Sequence, residues 1–316
     1  MNVVSEEFLR ELEQAVARLE ARQPAAAIFA SAKEGTFLAG LDLEWVRGMM
    51  SRPPEERASL ARGLSERAQG IFGRIAAMAF PTAAWVEGVC LGGGLELALS
   101  CRHILVGAGD KVRLGLPEVR LGLVPAWGGC RRLPRRIGLA PALEAILSGR
   151  TWNAELAVRR GLADARLPSG GGPREALRFL EAAGQGRVPP RPRPPLASRL
   201  LVSFPPARRL VFARARASVA AKTHGNYPAP LEALEAIRAG WEDGEQAGLA
   251  REREAAARLA SGPEAMNLVR VFFLDKDYAR ALREADPGAD AAPAPPGRIA
   301  VLGAGKMGMG IASAAA

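Results

Sequence analysis

Two glutamates in otherwise apolar surroundings have the clearest potential for acid–base chemistry in this sequence. Glu96 lies in the apolar segment that follows the glycine triplet 92–94, and Glu118 lies between Pro117 and Val119. Two carboxyl groups that share a dry pocket acquire different pKa values, so one holds a proton while the other is ionised. Such a pair suits the addition of water to a double bond, because one group activates the water and the other protonates a carbon atom.

Each glutamate also has an interpretation without catalysis. Residues 92–96 taken alone are typical of a glycine turn followed by a surface glutamate, and Glu118 could pair with Arg113 or Arg120 beside a Pro-Glu turn. The separation of 22 positions between Glu96 and Glu118 does not establish a contact. The residue pattern by itself leaves both interpretations open.

The elements around the glycine triplet predict a site for negative charge. Residues 82–86 form a short apolar run after Pro81, which is typical of a buried strand. The three glycines permit backbone conformations and close approaches that a Cβ would forbid. The helix predicted after them points its first N–H groups and the positive end of its dipole into the loop. A developing negative charge would be stabilised there.

The wider pattern predicts an α/β fold. Ser5 and the two acids after it are a good helix start, and apolar residues then recur at helical spacing to about residue 21. Further helices are predicted over 55–79, 139–148 and 153–161, short strands over 25–30 and 104–106, and a mostly helical region over 207–285. Strands that alternate with helices indicate the α/β class.

Length and composition predict a globular chain with a sizeable core. The chain has 316 residues, of which 48% are hydrophobic, and this length predicts two domains. No apolar run approaches the roughly 18 residues of a membrane span, and the N-terminus lacks the pattern of a secretory signal. The three cysteines (Cys90, Cys101 and Cys130) have no metal-ligand spacing, so no metal site is predicted. A reducing cytoplasm fits them best.

The net charge of +10 comes almost entirely from one segment. Residues 187–222 contain nine Lys or Arg and no Asp or Glu, and prolines interrupt them. The segment has no recognisable nucleic-acid motif and no aromatic stacking platform, so nucleic acid is not a predicted partner. We interpret it as a solvated connector. Contact with an acidic partner or an anionic cofactor is the alternative.

The last twenty residues contain a dinucleotide-binding pattern. Residues 298–302 are typical of a parallel strand, and Gly303, Gly305 and Gly308 then form G-x-G-x-x-G at the start of a predicted helix. The second strand and its ribose-binding acid are expected about twenty residues further on. The chain stops at Ala316, so we interpret this region as the unfinished start of a Rossmann domain.

Several longer segments resemble the crotonase family. The segments are SAKEGTFLAGLDL (31–43), EGVCLGGGLELALSC (87–101) and GLPEVRLGLVPAWGGCRRLPRRIGLAPALEAILSGR (115–150). KTHGNYPAP (222–230) and IAVLGAGKMGMGIA (299–312) narrow the resemblance to multifunctional fatty-acid oxidation α-subunits, in which an enoyl-CoA hydratase is fused to a 3-hydroxyacyl-CoA dehydrogenase. The resemblance covers nearly the whole chain.

The resemblance implies a fold and a domain order. Residues 1–186 are expected to form an α/β domain with the crotonase-like (ClpP/crotonase) spiral fold. Residues 187–296 are expected to form the basic connector and a helical linker region. Residues 297–316 would be the first strand, turn and helix of a truncated NAD-binding Rossmann domain.

The resemblance also implies site residues and a reaction. The N–H groups of Leu41 and Gly93 would form an oxyanion hole for the thioester oxygen, a type of stabilisation worth about 3–4 kcal/mol per donor. Glu96 would deprotonate water, and Glu118 would exchange the proton at C2, which hydrates 2-trans-enoyl-CoA to 3-hydroxyacyl-CoA. Hydration needs no cofactor.

The same resemblance implies a cofactor and a partner for the parent protein. NAD would lie on Gly303, Gly305 and Gly308, and a thiolase subunit would complete a fatty-acid oxidation complex. Residues 1–5 align well inside the family's domain, so we interpret the chain as truncated at both ends, without dehydrogenase activity. Ala126 stands where the family usually has glycine, and Cys130 where it usually has threonine.

Two other functions remain open from the sequence. An isomerase or another acyl-CoA enzyme would use the same oxyanion hole, although the paired glutamates favour a hydratase. A non-catalytic scaffold would bind a partner or a membrane surface through the basic connector.

Overall fold

The computed structural model describes residues 2–49, 51–168, 171–192, 194, 196 and 202–285. Residues 1–270 form one compact unit, and a second unit begins at Val271, within the last described helix. The predicted start of a Rossmann domain, with Gly303, Gly305 and Gly308, lies outside the described residues. No helix in the described part of the chain is long and apolar enough to cross a membrane.

Helices and short strands alternate over the first 184 residues. The helices are α1 (Glu6–Arg22), α2 (Leu43–Met49), α3 (Pro54–Ala76), α4 (Gly93–Ser100), a 3-10 helix (Glu118–Leu121), α5 (Gly129–Ile137), α6 (Leu139–Ser148), α7 (Ala154–Arg159) and α8 (Gly172–Gly184). The strands are β1 (Ala27–Ala30), β2 (Thr36–Leu38), β3 (Thr82–Val86), β4 (Val89–Leu91), β5 (His103–Gly107), β6 (Arg113–Gly115), β7 (Thr151–Trp152) and β8 (Ala165–Leu167).

The later part of the described chain is helical. Its helices are α9 (Pro205–Thr223), α10 (Pro228–Glu242), α11 (Glu245–Ser261) and α12 (Pro263–Ala285).

The strands form two four-stranded sheets. The first has the order β1-β3-β5-β8 and is parallel throughout. The second has the order β2-β4-β6-β7, in which only the β6–β7 pair is antiparallel. At the centre of the first sheet, Ala84 pairs with Phe29 on one side and Ile104 on the other.

The chain passes from the first sheet to the second at Glu87 and Gly88. These two residues connect β3 to β4, which belong to different sheets. A Cβ on Gly88 would lie 2.0 Å from the carbonyl carbon of Gly35, so only glycine permits this close passage. The strands from β1 to β6 alternate between the two sheets, β7 stays in the second sheet beside β6, and β8 returns to the first, so the chain winds as a spiral of short strands.

Several predicted elements are confirmed. The β3 strand spans the predicted residues 82–86, and α6 spans 139–148. In α1 the Ser5 side chain accepts a hydrogen bond from the Phe8 N–H, as expected of an N-cap. Strands β2, β4, β6, β7 and β8 were not predicted, because each has only two or three residues and carries no readable alternation.

The helical region packs onto the α/β part. The Arg57 guanidinium of α3 donates to the carbonyl oxygens of Ala260 (2.8 Å) and Ser261 (2.9 Å) at the end of α11. Buried Ala233, Ile237 and Leu259 from α10 and α11 belong to the same core cluster as the residues of the sheets. The domain boundary that we predict at residue 186 therefore lies inside one compact unit, residues 1–270.

Candidate active site

Glu96 lies on a helix with no solvent-facing side. All eight residues of α4 are buried, and the Glu96 side chain is among them at 2% exposure. Gly92, with φ 53° and ψ −130°, makes the sharp turn between β4 and α4 that brings the helix N-terminus to the end of the strand. The carboxyl group consequently lies within the protein, one turn from the start of the helix.

Backbone N–H groups hold the Glu96 carboxylate. Its Oε1 accepts hydrogen bonds from the N–H of Trp127 at 2.7 Å and the N–H of Gly129 at 2.8 Å. Burial raises the pKa of Glu96 to about 7, although these two N–H groups and the charge of Arg132 lower it. Glu96 therefore changes its charge close to neutral pH.

Glu118 approaches the same place from the second sheet. Glu118 is the first residue of the 3-10 helix that follows β6. Its Oε1 lies close to Gly92, because a Cβ added to Gly92 would be 3.0 Å from this oxygen. Its Oε2 is shielded from solvent and has no hydrogen-bond partner in the described structure. Burial and then the negative charge of Glu96 raise the pKa of Glu118 well above the usual range.

The structure thus brings Glu96 and Glu118 together, as the resemblance implies. Their surroundings differ: Glu96 has two N–H donors that stabilise its ionised form, whereas Glu118 has an unpartnered buried oxygen. Because the negative charge of Glu96 raises the pKa of Glu118, Glu118 keeps its proton to a higher pH than Glu96 does.

A third carboxyl group, that of Glu252, belongs to the same cluster. Glu252 lies on α11, is fully buried, and accepts a hydrogen bond from the Gly128 N–H at 2.6 Å. Gln69 Nε2 is its second donor, at 3.3 Å. Burial and the charge of Glu96 raise the pKa of Glu252 well above the usual range.

Glu252 was not predicted as a site residue, although the sequence contains a signal for it. Leu249, Glu252, Ala256 and Leu259 recur at helical spacing and form the buried stripe of α11. A glutamate inside such a stripe is unusual, because an ionisable group is rarely buried without a partner.

The segments of Leu41 and Gly93 lie side by side. A Cβ on Gly40 would stand 3.1 Å from the Leu91 carbonyl oxygen and 3.7 Å from the Gly93 nitrogen. Val4 forms a parallel bridge with Leu41. The Val4 N–H donates to the Gly40 oxygen, and the Asp42 N–H donates to the Val4 oxygen. The N–H of Leu41 therefore takes no part in the bridge. Gly93 is the first residue of α4, where an N–H has no acceptor within the helix.

Glycine is required at position 93 for a reason that the sequence does not indicate. A Cβ there would lie 2.0 Å from the Trp127 ring, and Gly93 is itself buried. The same Trp127 donates its backbone N–H to Glu96. The ring that excludes a side chain at position 93 therefore belongs to the loop that holds Glu96.

The fold and this cluster define the class of protein. The sequence model of the family described as enoyl-CoA hydratase/isomerase matches residues 1–182. The chain therefore belongs to the enoyl-CoA hydratase/isomerase family, and the predicted crotonase-like fold is confirmed. The matched residues contain Glu96, Glu118, Leu41 and Gly93, whereas Glu252 lies beyond them.

Two curated relatives extend the likeness past the family domain. Both are named fatty acid oxidation complex subunit alpha, from two strains of Vibrio cholerae serotype O1. Each is 38% identical to this chain over 313 residues, which is 98% of the chain and 42% of the relative. The chain therefore spans less than half the length of these relatives.

Solved structures agree with the fold. An enoyl-CoA hydratase from Rhodobacter sphaeroides 2.4.1 superposes with a TM-score of 0.64 at 22% identity, over 86% of this chain and 82% of that one. An enoyl-CoA hydratase from Bacillus halodurans superposes with a TM-score of 0.60 at 20% identity, over 85% and 90%. At these identities the likeness describes the fold alone.

Proposed function

We propose that this chain hydrates 2-trans-enoyl-CoA to 3-hydroxyacyl-CoA. The observation that carries the proposal is the pair of adjacent carboxyl groups, Glu96 and Glu118, whose surroundings favour opposite protonation states. Addition of water needs both a base and an acid at one place. The enoyl-CoA substrate is proposed from the family to which the chain belongs.

In this mechanism Glu96 is the base. Its Oε1 is held by the N–H groups of Trp127 and Gly129, so Oε2 is the atom that takes a proton from water. The resulting hydroxide oxygen forms a bond to C3 of the substrate, and the electron pair of the double bond moves toward the thioester oxygen. The backbone holds the carboxylate rigidly, which keeps the water in position.

Glu118 and the two backbone N–H groups complete the addition. The N–H groups of Leu41 and Gly93 stabilise the negative charge on the thioester oxygen, as preorganised donors do in an oxyanion hole. Glu118 donates its proton to C2 as the double bond to oxygen re-forms. One H and one OH are then added across C2 and C3, and transfer of a proton from Glu96 to Glu118 restores the starting state.

A hydration assay tests this proposal. The parent chain, Glu96→Gln and Glu118→Gln are each incubated with crotonyl-CoA and with a long-chain enoyl-CoA. We expect each substitution to lower kcat by at least about a hundredfold, because each removes one of the two proton-transfer groups. The matched control is Glu55→Gln, an exposed glutamate in the first turn of α3, which should retain the parent rate.

The same assay distinguishes the alternatives. Movement of the double bond in a 3-enoyl-CoA, without incorporation of water, would assign the site to isomerisation. Full turnover by Glu96→Gln or Glu118→Gln would contradict the roles given to these residues. No turnover by the folded parent chain with any enoyl-CoA would reject the hydratase proposal and favour a scaffold.

A wider role for the protein is also proposed from its relatives. The curated relatives are named as subunits of a fatty acid oxidation complex, so we infer fatty-acid β-oxidation with a thiolase subunit as the partner. NAD binding by Gly303, Gly305 and Gly308 belongs to the same inference. A cytoplasmic location fits the three free, buried cysteines.

A further inference from the structure

We propose that Glu252 is a positioning residue for Glu96, supplied to the hydratase site by the helical region. This inference rests on the proposed function above. It assigns a role in the site to α11, which lies outside the residues matched by the family model.

Three consecutive backbone N–H groups connect the two glutamates. The N–H groups of Trp127 and Gly129 point to Glu96, and the N–H of Gly128 between them points to Glu252. The short segment 127–129 thus donates hydrogen bonds to both carboxyl groups. If Glu252 releases Gly128, the peptide planes on both sides lose their orientation, and the two donors to Glu96 move with them.

Glu252 is one of several contacts that hold the 127–129 segment. Gly128 has φ 107°, a conformation that glycine adopts freely because it has no Cβ. The absence of a Cβ also means that no side chain restricts this residue to that conformation. The carbonyl oxygens of the segment have their own donors, since Gly128 accepts from the Arg132 N–H (2.8 Å) and Trp127 accepts from Arg132 Nη1 (2.8 Å). The hydrogen bond to Glu252, at 2.6 Å, is the contact that orients the Gly128 N–H.

Glu252 is in turn fixed from α3. Gln69 Nε2 lies 3.3 Å from Glu252 Oε2 and also donates to the carbonyl oxygens of Ala126 (2.8 Å) and Leu249 (3.0 Å). The Gln69 Oε1 accepts from Arg253 Nη1. Gln69 therefore joins α11 to the residue just before the 127–129 segment.

The surroundings of Glu252 show that its place is costly to maintain. It is fully buried, and its Oε1 has no hydrogen-bond partner in the described part of the chain. The titratable and charged groups that act on this cluster are Glu96 from α4, Glu118 from the 3-10 helix, and Cys130, Arg131 and Arg132 from α5. A glutamate in such a place lowers stability, and positioning the base gives it a function.

Two substitutions separate positioning from the carboxyl group itself. Glu252→Gln keeps the length of the side chain and an oxygen acceptor for Gly128, but replaces the carboxyl group by an amide that does not ionise. Glu252→Asp keeps a carboxyl group but shortens the side chain by one methylene, so it no longer reaches Gly128. We expect Glu252→Gln to keep kcat within about threefold and Glu252→Asp to lower it at least about tenfold with KM little changed.

A merely structural role would not produce this pattern. Glu252→Asp should also raise the pKa of the acid limb in the pH dependence of the hydration rate. The reason is that the N–H donors that lower the pKa of Glu96 would no longer be held in place. In Glu252→Gln, the pKa of the acid limb should not increase.

A second measurement needs no substrate. Amide hydrogen exchange of the peptide containing residues 125–130, followed by mass spectrometry, should be at least about tenfold faster in Glu252→Asp than in the parent and unchanged in Glu252→Gln. This exchange measurement tests whether Glu252 positions the 127–129 segment, even if the parent chain does not hydrate enoyl-CoA. Parent-like exchange in a folded Glu252→Asp, or equal losses in both variants, would overturn the proposal.

Discussion

The Trp127 N–H donates to Glu96 Oε1 at 2.7 Å, although the two residues are 31 positions apart in the chain. Trp127 belongs to the loop before α5, and Glu96 to the buried α4. The proposed base is therefore oriented by backbone from another element. Its proton affinity depends on how well that loop is held.

The hydration rate should depend on pH with two limbs. Because the pKa of Glu96 is about 7, the rate should rise as pH increases through about 7 and the base ionises. It should fall again at higher pH as Glu118, whose pKa is also raised, loses its proton. Measurement of kcat/KM for crotonyl-CoA from about pH 5 to pH 10 checks this. A rate independent of pH around neutrality would contradict the assignment of Glu96.

Glu118→Gln should stabilise the folded chain at alkaline pH. The pKa of Glu118 is raised in the folded state, so its carboxyl group favours folding at low pH and opposes it as pH rises through the folded-state pKa. A neutral amide escapes this cost. We expect Tm to increase by at least about 2 °C at pH 8 and by less at pH 5. Thermal melts at both pH values test the sign, and a larger gain at the lower pH would refute it.

Gly93→Ala should destabilise the fold by overpacking. The new Cβ would lie 2.0 Å from the Trp127 ring, and this type of clash costs about 1–3 kcal/mol. Urea denaturation gives the free energy of unfolding. The matched control is Gly63→Ala in the exposed face of α3, where a Cβ meets nothing within 4 Å, and it should stabilise by about 0.5–1 kcal/mol.

A second substitution checks the cause of the Gly93 effect. If the ring of Trp127 is the obstacle, Trp127→Leu combined with Gly93→Ala should cost less than the sum of the two single changes. Additive losses would show that the Cβ meets something else.

Val4→Pro should lower activity through Leu41. The Val4 N–H donates to the Gly40 oxygen at 2.7 Å, and proline removes this donor. The turn that presents the Leu41 N–H would then lose one of its anchors, so we expect kcat/KM to decrease at least about tenfold. Val4→Ala keeps the N–H but removes the buried side chain, and it separates loss of packing from loss of the hydrogen bond. Equal rates in both variants, with Val4→Pro folded, would argue against a role for Leu41.

The local pattern of the sequence was sufficient for the main elements that carry the site. The apolar run of β3, the glycine turn at 92–94 and the helix with Glu96 are encoded by adjacent residues, since strand and helix periodicity are local properties. The family motifs then related Glu96 to Glu118. Short strands such as β4 and β6 escaped prediction because three residues form a strand only when neighbouring strands supply hydrogen bonds.

Only the tertiary structure decided how the two glutamates differ and what holds them. The sequence by itself determined the α/β class, the candidate pair and the oxyanion segments, all of which depend on local pattern and motif. The hydrogen bonds of Trp127 and Gly129 with Glu96, and of Gly128 with Glu252, join residues up to 124 positions apart. The burial that leaves one Glu118 oxygen without a partner also comes from residues distant in the chain. The proton affinity of a buried carboxyl group is set by its neighbours in space, and sequence order does not specify those neighbours.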